Sequence, residues 1–156
     1  MLCYNTCMKI VNRKLQRDYE ILETLEVGVM LTGPEVKSIR EEKINLDNSH
    51  VKILGNELFL VNADIYPYLL APKTVQETKR SRKLLIHKKE LLRLQTKMHG
   101  VSGLTIAPVS CYNKGALIKV EIALVRGRKD IEKRKLEKQR DMARNEKREV
   151  KEYLKH

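Results

Sequence analysis

The side chains that could do chemistry in this chain are mostly cationic. There are 32 Lys and Arg against 20 Asp and Glu, a net charge of +12. Catalytic and metal-binding types are few and poorly placed. His50, His87, His99 and His156 are scattered, and none stands at ligand spacing from a Cys or a carboxylate. Cys3, Cys7 and Cys111 are odd in number and fit no zinc pattern, so reduced thiols of a cytoplasmic chain are expected. Glu41 and Glu42 adjoin at a predicted helix end, where solvation accounts for them. The chain has no Gly-rich phosphate loop, no G-x-S-x-G and no H-E-x-x-H. No catalytic residue, metal or cofactor is therefore expected, and a nuclease is the enzyme class least at odds with the composition. What remains is a cationic field, which favours nucleic acid or an anionic membrane as partner.

A membrane fits poorly. No apolar run approaches the roughly 18–20 residues of a spanning helix. "MLCYNTCMKIVNRK" has no charged region ahead of a hydrophobic stretch. Residues 1–11 read as a flexible extension, and Met8, ahead of a basic stretch, is a candidate start that makes Met1–Cys7 an overlong addition. With 156 residues, of which the last 30 are nearly two thirds charged, about 126 remain for one ordinary core. That body is assigned to 12–126 and the tail to 127–156.

The elements that must carry the charges follow from periodicity. In "YEILETLEVGVML", Tyr19, Ile21, Leu25, Val27, Val29 and Leu31 share one parity, and Glu20, Thr24, Glu26 and Gly28 the other. This predicts a half-buried strand with Gly28 as a bend or bulge. Thr32 and Glu35 have capping-box spacing, and Pro34 suits a first turn, so "GPEVKSIR" reads as a helix with Val36 and Ile39 inward and Lys37 and Arg40 elsewhere. Gly55-Asn56 between apolar runs predicts a hairpin. The stretch 66–83, with Pro67, Pro72 and five basic residues, four of them near its end, reads as a long mobile loop. "KLLI" is a short strand. "HKKELLRLQTKMHG" is a helix with Leu91, Leu94, Gln95 and Met98 on one side and Gly100 as stop. A second hairpin spans 103–127 and turns at Asn113–Gly115. In it Ile118, Val120, Ile122 and Leu124 face in, Lys119 and Glu121 face out, and Pro108 sits near an edge or bulge. The sum is about six antiparallel strands with two or three flanking helices: a mainly β fold, a small barrel of the oligonucleotide-binding type with a basic C-terminal tail.

Aromatic content narrows the kind of nucleic acid. Single-strand readers stack bases on rings. Here aromatics are 4% of the chain, one Phe and six Tyr without Trp, and Phe59 and Tyr19 alternate with core positions. A folded RNA gripped by phosphates, 2′-hydroxyls and shape fits better. With roughly six phosphates contacted, affinity falls about a thousandfold between 50 and 200 mM salt.

"NRKLQRDYEILETLEVGVMLTGPEVKSIREEKINLDNSHV", "RKLLIHKKEL" and "KVEIALVRGRKDIEKR" closely resemble the SsrA-binding protein family, the small protein B of bacterial trans-translation. The resemblance runs from Asn12 to Arg134. It implies a barrel that binds the transfer-RNA-like head of transfer-messenger RNA, and a tail that enters the decoding centre and empty messenger channel of a stalled ribosome. A monomer on one RNA is expected. Carried over by motif, it implies RNA contacts at Asn12, Arg13 and Lys14, at Glu26 as a specific acceptor, at Leu85 and His87, and at Lys119, with Lys37 and Arg40 contributing to the field or bridging to Glu35 or Glu41. Pro34 and Val125 depart from the family's usual residues. Glu132-Lys133-Arg134 stands for a D-K-R tail motif, and the ribosome-facing residues implied are Gly127, Arg128, Lys129, Glu132, Lys133 and Arg134.

After Gly127 the tail holds 12 Lys or Arg and 7 Asp or Glu, and Ile131, Leu136, Met142, Val150 and Leu154 are spaced 5, 6, 8 and 4 apart. No apolar stripe emerges, so docking on the body gains little. Helix propensity is high, and partial helix is expected in water. Gly127 is the expected hinge. The competing reading is a structural ribosomal or ribosome-assembly protein on folded ribosomal RNA.

Overall fold

The outward and inward parities of the long C-terminal hairpin generate the rest of the architecture. In the computed structural model, which describes residues 8–71 and 77–153, strands β8 (Leu104–Lys114) and β9 (Leu117–Gly127) pair through a turn at Gly115-Ala116. Gly115 has φ +62, the left-handed region that favours glycine, which explains the residue at this tight connection. Ile118, Val120, Ile122 and Leu124 are buried on the inner side as expected. Pro108 lies where the register shifts, between Pro108 and Ser110, because a residue without an N–H cannot continue the ladder.

Six strands close on themselves. β8 pairs with β4 (His50–Leu54), β4 with β5 (Glu57–Val61), β5 with β7 (Arg82–Leu85), β7 with β2 (Tyr19–Val29), β2 with β9, and β9 with β8. All these pairings are antiparallel. Closure removes the edges an open sheet leaves unpaired. β1 (Lys9–Val11) adds to β8 at residues 110–112, so residues 9–11, expected in a flexible extension, form a strand. Met8 beside it is buried. β3 (Ile44–Asn45) and β6 (Asp64–Ile65) make a separate two-stranded ladder.

Val27, Leu58, Leu60, Leu84, Ile106 and Ile122 fill the inside. Ile39 of α2 (Gly33–Arg40) and Leu91 and Leu94 of α3 (Lys88–Gly100) join that core. Thr32 and Glu35 form the expected capping box, the Glu35 carboxylate accepting from the Thr32 N–H at 2.8 Å. Cys111 is buried with no partner thiol among the described residues, and burial pushes its pKa up to about 12, so it is an inert core residue. Cys3, Cys7, Leu154, His156 and part of the expected mobile loop lie outside the described residues.

Two corrections concern parity. The register of β2 shifts between Ile21 and Glu23. A one-residue shift exchanges faces. Leu25 and Val27 therefore join the inner core, whereas Tyr19 packs on a second cluster outside and Ile21 is exposed. The bulge is at Leu22, not Gly28. In β5 it is Leu58 and Leu60 that face in, and Phe59 is half-buried on the outer side opposite Lys52 and Lys83.

A short helix, α1 (Arg13–Asp18), accounts for the second cluster. Its Leu15 packs on Ala107, Val109, Ala123 and Val125. β9 is thus buried on both faces from Ile122 to Val125 and on one face only from Ile118 to Glu121. The outer surface of the hairpin is divided: α1 covers one half and the other half is open.

The stretch 66–83 is anchored at its end. Arg82 is 1% exposed, and its guanidinium donates to Glu35 and to the carbonyls of Ala63, Arg80 and Thr78. Arg80 also reaches Glu35, at 2.6 Å.

The described part of the tail carries one long helix, α4 (Asp130–Tyr153). It touches the body at α1, where Arg140 donates to the Gln16 carbonyl at 3.4 Å and Arg17 stands 4.0 Å from Glu137. Ile131 and Met142 are exposed and Leu136 is half-buried, so the helix carries little apolar surface to dock with.

Candidate nucleic-acid interface

The open half of the outer surface carries an ordered row of side chains. Lys9, Tyr112, Lys119, Gly28 and Leu85 are successive register partners across β1, β8, β9, β2 and β7. Register partners project to the same face. The adjoining row is Val11, Ser110, Glu121 and Glu26. Glu26, Lys119 and Leu85, far apart in sequence, therefore share one patch. Leu85 is 52% exposed, an apolar surface separated from Lys119 only by Gly28.

Gly28 stands in the row between Lys119 and Leu85. A Cβ there would lie 3.2 Å from the Leu85 Cβ. The glycine is needed for close approach rather than for a bend, and it leaves the floor between Lys119 and Leu85 free of side chain.

Two carboxylates, Glu26 and Glu121, face each other directly across β2 and β9. Like charges in that position destabilise a sheet unless each is compensated. Glu121 accepts from Ser110 Oγ at 2.8 Å and lies 3.8 Å from Lys9. Glu26 accepts from the Tyr112 hydroxyl and, at 3.0 and 3.1 Å, from Lys114 Nζ. The Tyr112 hydrogen bond, then Lys114, holds Glu26 below the ordinary carboxylate value. Reciprocally, the bond to Glu26 pushes the Tyr112 phenol up to about 12. Glu26 is ionised and Tyr112 protonated throughout the neutral range.

The other expected site residues are distributed around this patch. Arg40 donates to the Ala116 carbonyl at 3.1 Å, which ties α2 to the hairpin turn beyond Lys114. Lys37 lies over the Tyr68 ring at 5.3 Å. Neither bridges to Glu35 or Glu41 among the described residues: Glu35 is held by Arg80 and Arg82, and Glu41 by Lys43 at 2.7 Å. His87 is exposed at the N-cap of α3, two residues beyond Leu85, with its N–H donating to Glu90. Arg13 and Lys14 are exposed on α1, and Lys14 donates to Asn48 at 2.9 Å.

Asn12 is a correction. It is 2% exposed and caps α1, its Oδ1 accepting from the Leu15 N–H at 3.0 Å. Its Nδ2 donates to the carbonyls of Leu46 at 2.9 Å and Pro108 at 3.2 Å. Both amide protons are spent within the protein, so this side chain braces α1 against the barrel instead of facing a ligand. Gly127 is a second correction. It is still in β9, in register with Tyr19, and is not among the glycines with positive φ. The strand ends at Gly127, and the next residue, Arg128, donates its N–H to the Asp18 carbonyl at 3.0 Å. The Lys129 carbonyl accepts from the N–H groups of Glu132 and Lys133 just ahead of α4, which carries Glu132, Lys133 and Arg134 in its first two turns.

Sequence reasoning passed over Lys9, Tyr112 and Lys114. The signal was present for Tyr112: counting back across a two-residue turn at Gly115-Ala116 sets it opposite Lys119. Among the described residues no cluster of three His, Cys, Asp or Glu is placed to hold a metal ion, and no helix is long and apolar enough to cross a membrane.

Comparison with known proteins gives a consistent picture. An "SsrA-binding protein" of Persephonella marina is 46% identical over 133 residues, covering 85% of this chain and 87% of its own. One of Pseudothermotoga lettingae is 43% identical over 152 residues, covering 96% of this chain and 99% of its own. A chain from a solved structure described as "tmRNA-SmpB: a journey to the center of the bacterial ribosome" superposes with a TM-score of 0.65 and 41% identity, covering 78% of this chain and 85% of that one. A family model described as "SmpB protein" matches residues 9–152, from the first strand to the end of α4. That match spans the barrel, the outer patch and the tail helix together, and the chain belongs to the SmpB protein family.

Proposed function

We propose that this protein is a non-catalytic RNA-binding adaptor of trans-translation. Its barrel holds the transfer-RNA-like head of transfer-messenger RNA, and its C-terminal helix enters the decoding centre and vacant messenger channel of a stalled ribosome. The observation that carries the reading is the outer patch, two adjoining rows in which Glu26, Lys119 and Leu85 come together on one open face. Lys9, Lys114 and Lys119 supply attraction for phosphate, Leu85 an apolar platform, and Glu26 an acceptor for a base N–H. A carboxylate facing a polyanion is unfavourable unless it is matched to a donor, so Glu26 serves selectivity more than raw affinity.

The tail suits a second, separate task. α4 is exposed along most of its described length and touches the body through the polar contacts of Arg140 and Glu137 with α1. A helix already formed to Tyr153 enters an RNA-walled channel at a lower ordering cost than a coil. A messenger strand in that channel excludes it by volume, so entry reports vacancy. The work is done with ribosomes, in the cytoplasm.

Purifying the protein from its host and sequencing the RNA that accompanies it tests the reading. Transfer-messenger RNA in molar proportion is the expected result. Ribosomal RNA alone, on all ribosomes alike, assigns the protein to ribosome structure instead.

A further inference from the structure

The Glu26 carboxylate stands on a solvent-facing strand position, where an unheld side chain samples several rotamers. Here it is fixed from two directions. Tyr112 reaches diagonally across β9 to donate its hydroxyl to Oε2, and Lys114 donates to both Oε1 and Oε2. The donors lie on β8 and the acceptor on β2, so the arrangement exists only where β8, β9 and β2 stand side by side in the sheet. A carboxylate has about four lone-pair directions, two on each oxygen. Tyr112 and Lys114 take both on Oε2, and Lys114 takes one on Oε1. One direction, on Oε1, is left open.

We infer that Tyr112 is a positioning residue of the RNA site: with Lys114 it locks the Glu26 carboxylate so that a single Oε1 lone pair is presented to a base amino or imino N–H. The inference rests on the proposed function and deepens it. An acceptor held in one orientation loses little freedom on binding and discriminates against bases that present an acceptor in return. The phenol also lets Glu26 stay ionised without placing a second full charge between it and the RNA. Lys9, 5.9 Å from the Tyr112 ring centroid, steadies the ring from the other side.

The test uses the full chain and a transcribed transfer-RNA-like fragment of transfer-messenger RNA. Tyr112→Phe removes one hydroxyl and no charge. It is expected to weaken binding about tenfold, leave the slope of log K against log salt unchanged, and leave the thermal midpoint within about 2 °C of wild type. In a Glu26→Gln background the same change is expected to have no effect, because its target is gone. Carboxyl NMR of the free protein supplies a readout without RNA: Glu26 is expected to titrate at a higher pH in Tyr112→Phe than in wild type. Binding of Tyr112→Phe within twofold of wild type, or losses that simply add in the double variant, overturns the inference while Lys119→Ala and Glu26→Gln still weaken binding. A wild-type chain that ignores the fragment overturns the proposed function as well.

Discussion

Arg82 Nε donates to Glu35 Oε1 at 2.9 Å from a side chain that solvent does not reach. The pair joins β7 to the first turn of α2, and Arg80 adds a second cation to the same carboxylate. Burial alone would raise the Glu35 pKa. The Arg80 hydrogen bond, the Thr32 N–H and Arg82 outweigh it and hold the group at about 2.

Glu35→Gln leaves Arg82 buried without its counter-charge and is expected to cost about 3–5 kcal/mol in urea denaturation. The pH dependence has a definite sign. A folded-state pKa of about 2 against an ordinary 4.5 means that the stabilisation is complete above pH 4.5 and is lost as pH falls from there towards 2. It amounts to roughly 3 kcal/mol. Wild type is expected to lose this increment across that window and Glu35→Gln to lack it. Parallel acid limbs in the two proteins contradict the assignment.

Lys119 lies in the middle of the outer row and makes none of the ion pairs found among the described residues. Lys119→Ala is expected to weaken RNA binding and to reduce the magnitude of the salt slope by about 1, the signature of one lost phosphate contact. An unchanged slope would remove Lys119 from the phosphate-contacting set.

Gly28→Val places branched carbons where even one Cβ comes within 3.2 Å of Leu85. The barrel is expected to lose about 1–3 kcal/mol by overpacking. RNA affinity is expected to fall at least tenfold, because the Leu85 platform shifts and the floor beside Lys119 fills. Native-like affinity in a folded Gly28→Val protein shows that this floor does not meet the RNA.

Truncation before Asp130 removes a helix attached through exposed polar contacts. Such contacts contribute little, so barrel stability is expected to change by less than about 1 kcal/mol. Affinity for the transfer-messenger RNA head is expected to stay within tenfold, while peptide tagging on stalled ribosomes is abolished. Loss of head binding beyond tenfold, about 1.4 kcal/mol, breaks the separation of the two tasks.

Local order is what the residues themselves announced. The capping box at Thr32 and Glu35, the turn at Gly55-Asn56, the inward set Ile118, Val120, Ile122 and Leu124, and the bulge at Pro108 all follow from periodicity and backbone chemistry within a few positions. The coreless tail was equally legible, since its charged residues leave no stripe to bury. What only the tertiary structure decided depends on partners remote in the chain. α1 covers Ala123 and Val125, which share the outward parity of Lys119, so parity alone could not tell which outward positions stay open. The shift at Leu22 turns Tyr19 and Ile21 to the other face, Asn12 spends its amide on Leu46 and Pro108, and Arg82 finds Glu35 across the fold. Each of these outcomes is a burial or hydrogen-bond satisfaction between segments far apart in the chain, and such partners become available only when strands and helices are assembled together.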